Sequence, residues 1–397
     1  MVSRKPRAIL NIYNKVFEVV WRPNPTSFMT FIKNFFVIFC LVVNFSSYAT
    51  VTNEEYLTYA TNRVASAILP NNHWDGPTTG PEISTGKSLI FVASDLRNGG
   101  VNAVAKGVSE AVSHLDWNLQ FLDGVGSEIR QGAAIRKAVS LKPDGIILGG
   151  IDAERHANVL SIARKLGIVV IGWHASDTAS GSNELGLFTN ITTDPLAVAE
   201  IAALLAITET QGKAKTVIFT DPNYSIASMK SHRMVETLLA CNECDILAVK
   251  EVSLEETAKI MPAEVDKLLA QFPNQITHFL TINDLYIDFA VPSLEVAAGK
   301  YQHLPISISA GDGSRAAYKR INQGRYQIAT VPEPLNMQGW QIIDEMNRAF
   351  HGLTPSGYSA PVHLVTERNV SALIGKSDIY DPENGYRNAY LSIWRQE

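Results

Sequence analysis

From residue 87 almost to the end of the chain, short apolar runs alternate with longer stretches in which apolar residues recur every three or four positions. The runs at 88–93, 118–122, 144–148 and 168–172 have the length and composition of buried strands, and 101–114, 128–140 and 154–166 between them have helical periodicity. After a loop at 175–186 and a short strand at 187–190, Thr193-Asp194-Pro195 supplies a capping residue and a first-turn proline for a helix over 196–207. The alternation then restarts. Strands are predicted at 216–220, 246–252, 278–282, 306–310 and 326–331. Helices are predicted at 226–240, at 262–271, through Leu285, Phe289 and Leu294, after Ser314, and over 335–350. Strands alternating with helices of this length imply right-handed βαβ units, hence an α/β chain with parallel sheets. Two such series, each of about five strands, predict two similar lobes. Ahead of them, 54–69 reads as an amphipathic helix and 71–86, rich in Pro, Gly, Thr and Asn, as a linker or strap.

Composition agrees with two lobes, since 397 residues exceed the usual size of one domain. Hydrophobic residues make up 46% of the chain, enough for ample core, and a formal net charge of −5 gives no basic footprint for nucleic acid. Residues 29–49 add an export signal: Met29-Thr-Phe-Ile-Lys33 is a cationic start, 35–43 an apolar run of nine, and Ser47-Tyr48-Ala49 a small-x-small cleavage site. The run is too short to span a bilayer permanently. Met29 is then the expected start, with 1–28 an extension outside the fold and cleavage near Ala49.

Cys40 lies inside that run behind Phe39, where lipidation needs a small residue, so the mature chain keeps Cys241 and Cys244. In an oxidising compartment they form a local disulfide pinning a helix end to the next strand, or a redox-active pair. Redox pairs usually open a helix, whose dipole lowers the thiol pKa; Cys241-Asn-Glu-Cys244 instead follows the helical run 229–240, which favours the disulfide. Zinc would need two further ligands, and the nine histidines are scattered, so neither metal nor cofactor is expected.

Enzyme motifs are missing: there is no Gly-x-Ser-x-Gly, no phosphate loop ending in Gly-Lys-Ser/Thr and no His-Glu-x-x-His. What remains is a set of polar side chains just past strand ends, on the side where α/β crevices bind ligands. Asp95, Arg97 and Asn98 follow the first strand, and Trp173 and His174 follow 168–172. Asp194 opens the next helix, while Tyr224 and Lys230 come after 216–220. Asn283, Asp284, Asp312 and Glu333 complete the set. Carboxylates and amides can bond vicinal hydroxyls, and an indole face can stack on a sugar's C–H surface. The bland alternative is that Asn283, Asp284 and Asp312 are turn formers and N-caps.

In this order and spacing, five segments carry a resemblance: the tip ending at Asn98, Gly172-Trp173-His174, Ile282-Asn283-Asp284, Ala310-Gly311-Asp312-Gly313 and Ala329-Thr330-Val331-Pro332-Glu333. Residues 87–367 resemble the type I periplasmic binding proteins, most closely the ribose- and galactose-binding receptors of ABC transporters. The resemblance implies two Rossmann-like lobes joined by three hinge strands, with the ligand trapped on closure. One lobe would comprise 87–193 plus 334–364 and the other 194–333 plus 365–397, with hinges near 192–194, 331–333 and 364–367. It puts Asn98, His174 and Asp194 on the first lobe's side and Lys230, Asn283, Asp312 and Glu333 on the second's. His174 stands where sugar receptors usually have Asp, Lys230 where they have Arg, and Glu333 where an amide is common. Gly100 and Val101 replace the first-loop aromatics that stack on the sugar, which makes Trp173 the candidate substitute.

The expectation is therefore a non-catalytic, monomeric periplasmic receptor for a small polyhydroxylated ligand, a monosaccharide or sugar-like compound. Its macromolecular partner would be the membrane permease of an ABC transporter or the outer domain of a sensor. Two alternatives stay open: a receptor for a non-sugar metabolite or signal feeding a sensor kinase, and an exported hydrolase or redox enzyme using Cys241/Cys244 or an Asp/His pair.

Overall fold

In the computed structural model, which describes residues 52–374 and 379–396, helix α1 (Asn53–Ile68) precedes the first sheet. The expected signal peptide at 29–49, with Cys40, and the extension at 1–28 lie outside the described residues. Strand β1 (Ser88–Ala93) sends Leu89, Phe91 and Ala93 into one apolar cluster and Ile90 and Val92 into another. That is the burial on both faces which a continuous apolar run predicts in a parallel sheet. With β2 (Asn118–Asp123), β3 (Gly145–Gly149), β4 (Val169–Trp173) and β5 (Thr189–Ile191), it forms a parallel sheet ordered β2-β1-β3-β4-β5. Helices α2 (Gly99–Val112), α3 (Glu128–Ser140) and α4 (Ala157–Lys165) connect its strands in turn. The expected helix at 154–166 divides into a 3-10 turn, Glu154–His156, and α4.

The chain crosses at 192–194 to α5 (Pro195–Glu209) and a six-stranded sheet. Its strands are β6 (Lys215–Thr220), β7 (Asp245–Glu251), β8 (His278–Thr281), β9 (Ile306–Ser309), β10 (Gln327–Thr330) and β11 (Val365–Thr366), ordered β11-β10-β9-β8-β6-β7. All pairs are parallel except β10 with β11. Helices α6 (Ser225–Leu239), α7 (Thr257–Gln271), α8 (Leu285–Ala297) and α9 (Arg315–Gln323) connect the strands. Helix α7 starts five residues before the expected 262, with Pro262 inside it. Proline there removes one helical hydrogen bond, and the carbonyl left without it belongs to the exposed Ala258.

Residues 331–334 return the chain to the first lobe, where α10 (Leu335–Phe350) packs on α2. Residues 365–397, expected in the second lobe, divide. Strand β11 joins the second sheet, but α11 (Tyr386–Arg395) buries Tyr386, Tyr390, Ile393 and Trp394 in the first lobe's cluster. The apolar stripe of α11 fits there because Trp340 of α10 stacks on Trp394, ring centroids 5.5 Å apart. A fourth crossing, between β11 and α11, is thus added to the expected three.

The N-terminal segment also touches both lobes. Eleven of the fifteen residues of α5 are buried, because α1 covers its outer side with Ala60, Val64 and Ala67. A helix apolar on every side needs such a cover. The strap before β1 lies on the first lobe: Trp74 packs against Tyr358 and Tyr390, and Ser84 N–H donates to Asn347 Oδ1 at 2.9 Å.

Cys241 and Cys244 form a disulfide in the turn between α6 and β7. The bridge closes a very short loop, for which the chain-entropy relation gives about 2 kcal/mol. Cys244→Ser should lower urea-unfolding stability by roughly that amount and spare ligand binding. An unchanged unfolding midpoint would show that the bridge contributes nothing to stability.

Candidate functional site

The carboxyl ends of both sheets face a cavity of about 350 Å³. Nine of the twelve side chains picked from the sequence line it: Asp95, Arg97, Asn98, Trp173 and His174 from the first lobe, and Tyr224, Lys230, Asn283 and Asp312 from the second. Parallel strands bring this about, because each tip opens on the same side before its helix turns back.

Local chemistry fixes several of these side chains. Asn98 is the N-cap of α2; its Oδ1 accepts from the N–H groups of Gly100 at 2.9 Å and Val101 at 3.2 Å, which leaves its amide N–H pair to donate elsewhere. Asp95 takes a two-pronged bond from Arg97, Nε to Oδ1 at 2.9 Å and Nη2 to Oδ2 at 2.7 Å. Burial would raise the Asp95 carboxyl, but Arg97 outweighs it and holds the pKa down. Asn283 Oδ1 accepts from Leu285 N–H at 2.9 Å, and its Nδ2 donates to Asp312 Oδ2 at 2.8 Å. Burial pushes the Asp312 carboxyl up, against the pull of His174 and Lys230. Gly100 explains itself at this point: a Cβ there would overlap the Asp312 carboxylate reaching across from the other lobe. The position expected to carry an aromatic is instead cleared for that acid.

Three predicted residues are placed elsewhere. Asp194 caps α5, accepting from Leu196 N–H at 2.9 Å. Asp284 is buried under the second sheet's tips and accepts from Gln327 Nε2 at 2.7 Å, Gly313 N–H at 3.0 Å and Thr330 Oγ1 at 3.2 Å. Burial pushes its carboxyl up to about 7. Glu333, wholly buried, lies beneath the cavity floor and accepts from Thr193 N–H at 2.9 Å and Gln338 Nε2 at 2.7 Å. His174 Nε2 bonds its Oε1 at 2.8 Å, and Lys230 Nζ stands 3.8 Å from the same oxygen. Burial alone would raise Glu333, but His174, Lys230 and Gln338 prevail and hold it at about 2. For these three residues the turn, cap and support roles available to acids won over an open position.

Trp173 also differs from expectation. Only 1% exposed, it stacks on His174 with centroids 4.0 Å apart and donates its Nε1–H to Gln338 Oε1 at 2.8 Å. The indole thus backs the imidazole instead of presenting an open stacking face. The apolar wall comes from residues missed in the sequence, chiefly Ile226, Leu254, Leu285 and Phe289 of the second lobe. Glu255 was missed too; burial and the nearby carboxylates of Asp221 and Asp95 raise its pKa. It sits in a 3-10 turn (Leu254–Glu256) after β7, where the strand-tip rule applied to the other strands would have found it.

Donor atoms of His174, Asp312 and Glu333 lie within 4.8 Å of one another, a spacing compatible with a metal ion. Lys230, however, already places its ammonium beside Glu333, and His174 is bonded to the same carboxylate. The group reads as a charge-compensated floor with Asp312 and Asn98 left to face a ligand. Acceptors, donors and an apolar wall in one crevice suit a molecule with several hydroxyls and a C–H surface.

A family model described as the periplasmic binding protein domain matches residues 89–353, well over half of the chain. Among solved structures, a sugar ABC transporter protein from Yersinia enterocolitica aligns with TM-score 0.65 at 15% identity, covering 80% of this chain and 100% of that one. An arabinose transporter's binding protein from Shewanella, bound to L-arabinofuranose, aligns with TM-score 0.63 at 16% identity, covering 77% and 98% of the two chains. An ABC transporter solute-binding protein from Agrobacterium vitis with bound allitol gives TM-score 0.62 at 18% identity, covering 73% and 98%. A sequence comparison with curated proteins found no match.

Proposed function

Because this chain belongs to the periplasmic binding protein family, we propose that it is a solute receptor that captures a small polyhydroxylated compound, a sugar or a polyol, between its lobes. The observation that carries this reading is the meeting of nine of the predicted side chains, from both lobes, around one cavity of about 350 Å³. Hydroxyl groups would take hydrogen bonds from Asn98 and Lys230 and donate to Asp312, with C–H surface against Phe289 and Leu285. Contacts from both lobes form together only when the lobes close, so ligand shifts the population towards the closed form. The closed form would deliver its cargo to the permease of an import system in the membrane, from the periplasm. Family membership supports both the role and the compartment. The ligands bound in similar structures, allitol and L-arabinofuranose, support the chemical class.

A thermal-shift screen of the protein against alditols, inositols, pentoses, hexoses and organic acids tests the proposal. Binding to the folded state alone raises the melting temperature, by about 2.7 kcal/mol of stabilisation at a hundred times Kd. At least one alditol, inositol or sugar should raise it. A response confined to organic acids, or to none of the panel, would reject the hydroxylated class.

A further inference from the structure

The loop between β6 and α6, together with the first residue of that helix, belongs to the second lobe, yet the first lobe holds it at two points. Ser225 N–H donates to Asp152 Oδ2 at 3.0 Å, and Arg155 Nη2 donates to Asn223 Oδ1 at 3.3 Å. Asp152 is itself buried, 7% exposed. Neither it nor Arg155 lines the cavity, whereas Tyr224 does.

Helix α6 explains why these contacts matter. The first N–H groups of a helix have no partner within it, and an N-cap side chain usually serves one of them. At α6 the N-cap residue is Tyr224, whose side chain forms no cap bond. The missing acceptor comes from the other lobe, as a carboxylate placed where the helix dipole favours negative charge. Asp152 is already oriented for this, since its Oδ1 accepts from Glu154 N–H at 3.0 Å. Thus α6 has a capped first turn only while the lobes are together.

We infer that Asp152, with Arg155, is a latch that caps α6 across the cleft, holds Tyr224 over the cavity and favours the closed arrangement before any ligand enters. These two are positioning residues: they never touch the ligand, but its apparent affinity rises with the fraction of protein already closed.

Ser225→Pro isolates the latch. Proline is well tolerated at the first position of a helix, and Tyr224 has the extended backbone (φ −125°, ψ 122°) that a residue before proline requires. The substitution removes the N–H that Asp152 accepts from across the cleft, keeps its bond from Glu154 N–H, and leaves the helix intact. Losing a hydrogen bond to a charged acceptor should shift the closed-to-open ratio roughly tenfold or more towards open. Small-angle X-ray scattering of the ligand-free, full-length protein reads this directly. Ser225→Pro and Asp152→Ala should both give a larger radius of gyration than wild type while keeping a cooperative thermal transition. Asp152→Asn, which retains a carbonyl acceptor, should stay nearer to wild type. Superimposable curves for wild type, Ser225→Pro and Asp152→Ala would overturn the latch. No ligand enters the experiment, so that failure would leave the receptor proposal standing.

Discussion

Replacing Asp312 with alanine is expected to abolish the melting-temperature rise given by a bound sugar or polyol while leaving the ligand-free protein folded. The carboxylate is 8% exposed and takes one side-chain hydrogen bond, from Asn283. Its remaining lone pairs can serve ligand hydroxyls. Each hydrogen bond to a charged acceptor is worth roughly 1.5–3 kcal/mol, so losing two lowers affinity by about 100-fold or more. Folding should be spared for a separate reason. Burial raises the Asp312 pKa in spite of His174 and Lys230, so the folded protein carries this charge at a cost. Removing the group relieves that cost. Isothermal titration with a ligand from the screen, beside melting curves without ligand, checks both halves. Wild-type affinity in Asp312→Ala would take this residue out of the site.

Glu333→Ala should give the largest loss of stability of any single substitution at the cavity, roughly 3–5 kcal/mol in urea unfolding at neutral pH. Truncation leaves the Lys230 ammonium without its buried counter-charge, and leaves His174 Nε2, Thr193 N–H and the Gln338 amide without their hydrogen-bond partner. The same residue shapes the acid limb of the stability profile. Glu333 titrates at about 2 in the folded protein against an ordinary value of 4.5. A carboxyl with a lowered folded-state pKa contributes stability that is fully present above its unfolded value and disappears as pH falls through its folded value. Here that window runs from about 4.5 down to about 2, and the contribution is about 3 kcal/mol. Wild type should therefore lose stability across this window by about 3 kcal/mol more than the variant does. Parallel wild-type and Glu333→Ala profiles over that range would contradict the assignment.

Element type and order were legible from local pattern. The strand at 88–93 and the helices at 128–140 and 335–350 match β1, α3 and α10 end for end, because strand and helix periodicities are local properties. What eluded the sequence was non-local. Whether a polar tip residue opens to the crevice or turns under it depends on partners far along the chain. Trp173 is turned inwards by Gln338, 165 residues away, and Glu333 by His174, 159 residues away. Asp284 and Asp312 have the same local signature, an acid just past a strand. Only the donors around Asp284, on Gln327, Gly313 and Thr330, separate the support from the wall. Helix α11 was missed although Tyr386, Tyr390, Ile393 and Trp394 share one face, and its docking on the first lobe depends on α10.

The positions of α1 and α11 have a practical consequence. The first described helix rides on one half of the molecule and the last on the other, so the extremities of the described fold sit on opposite sides of the cleft whose closure is proposed. Dyes attached at the exposed Glu54 of α1 and the exposed Arg395 of α11 would report the proposed closure as a change in energy transfer, with no insertion into either sheet. The protein's own architecture thus supplies the scaffold of an optical gauge.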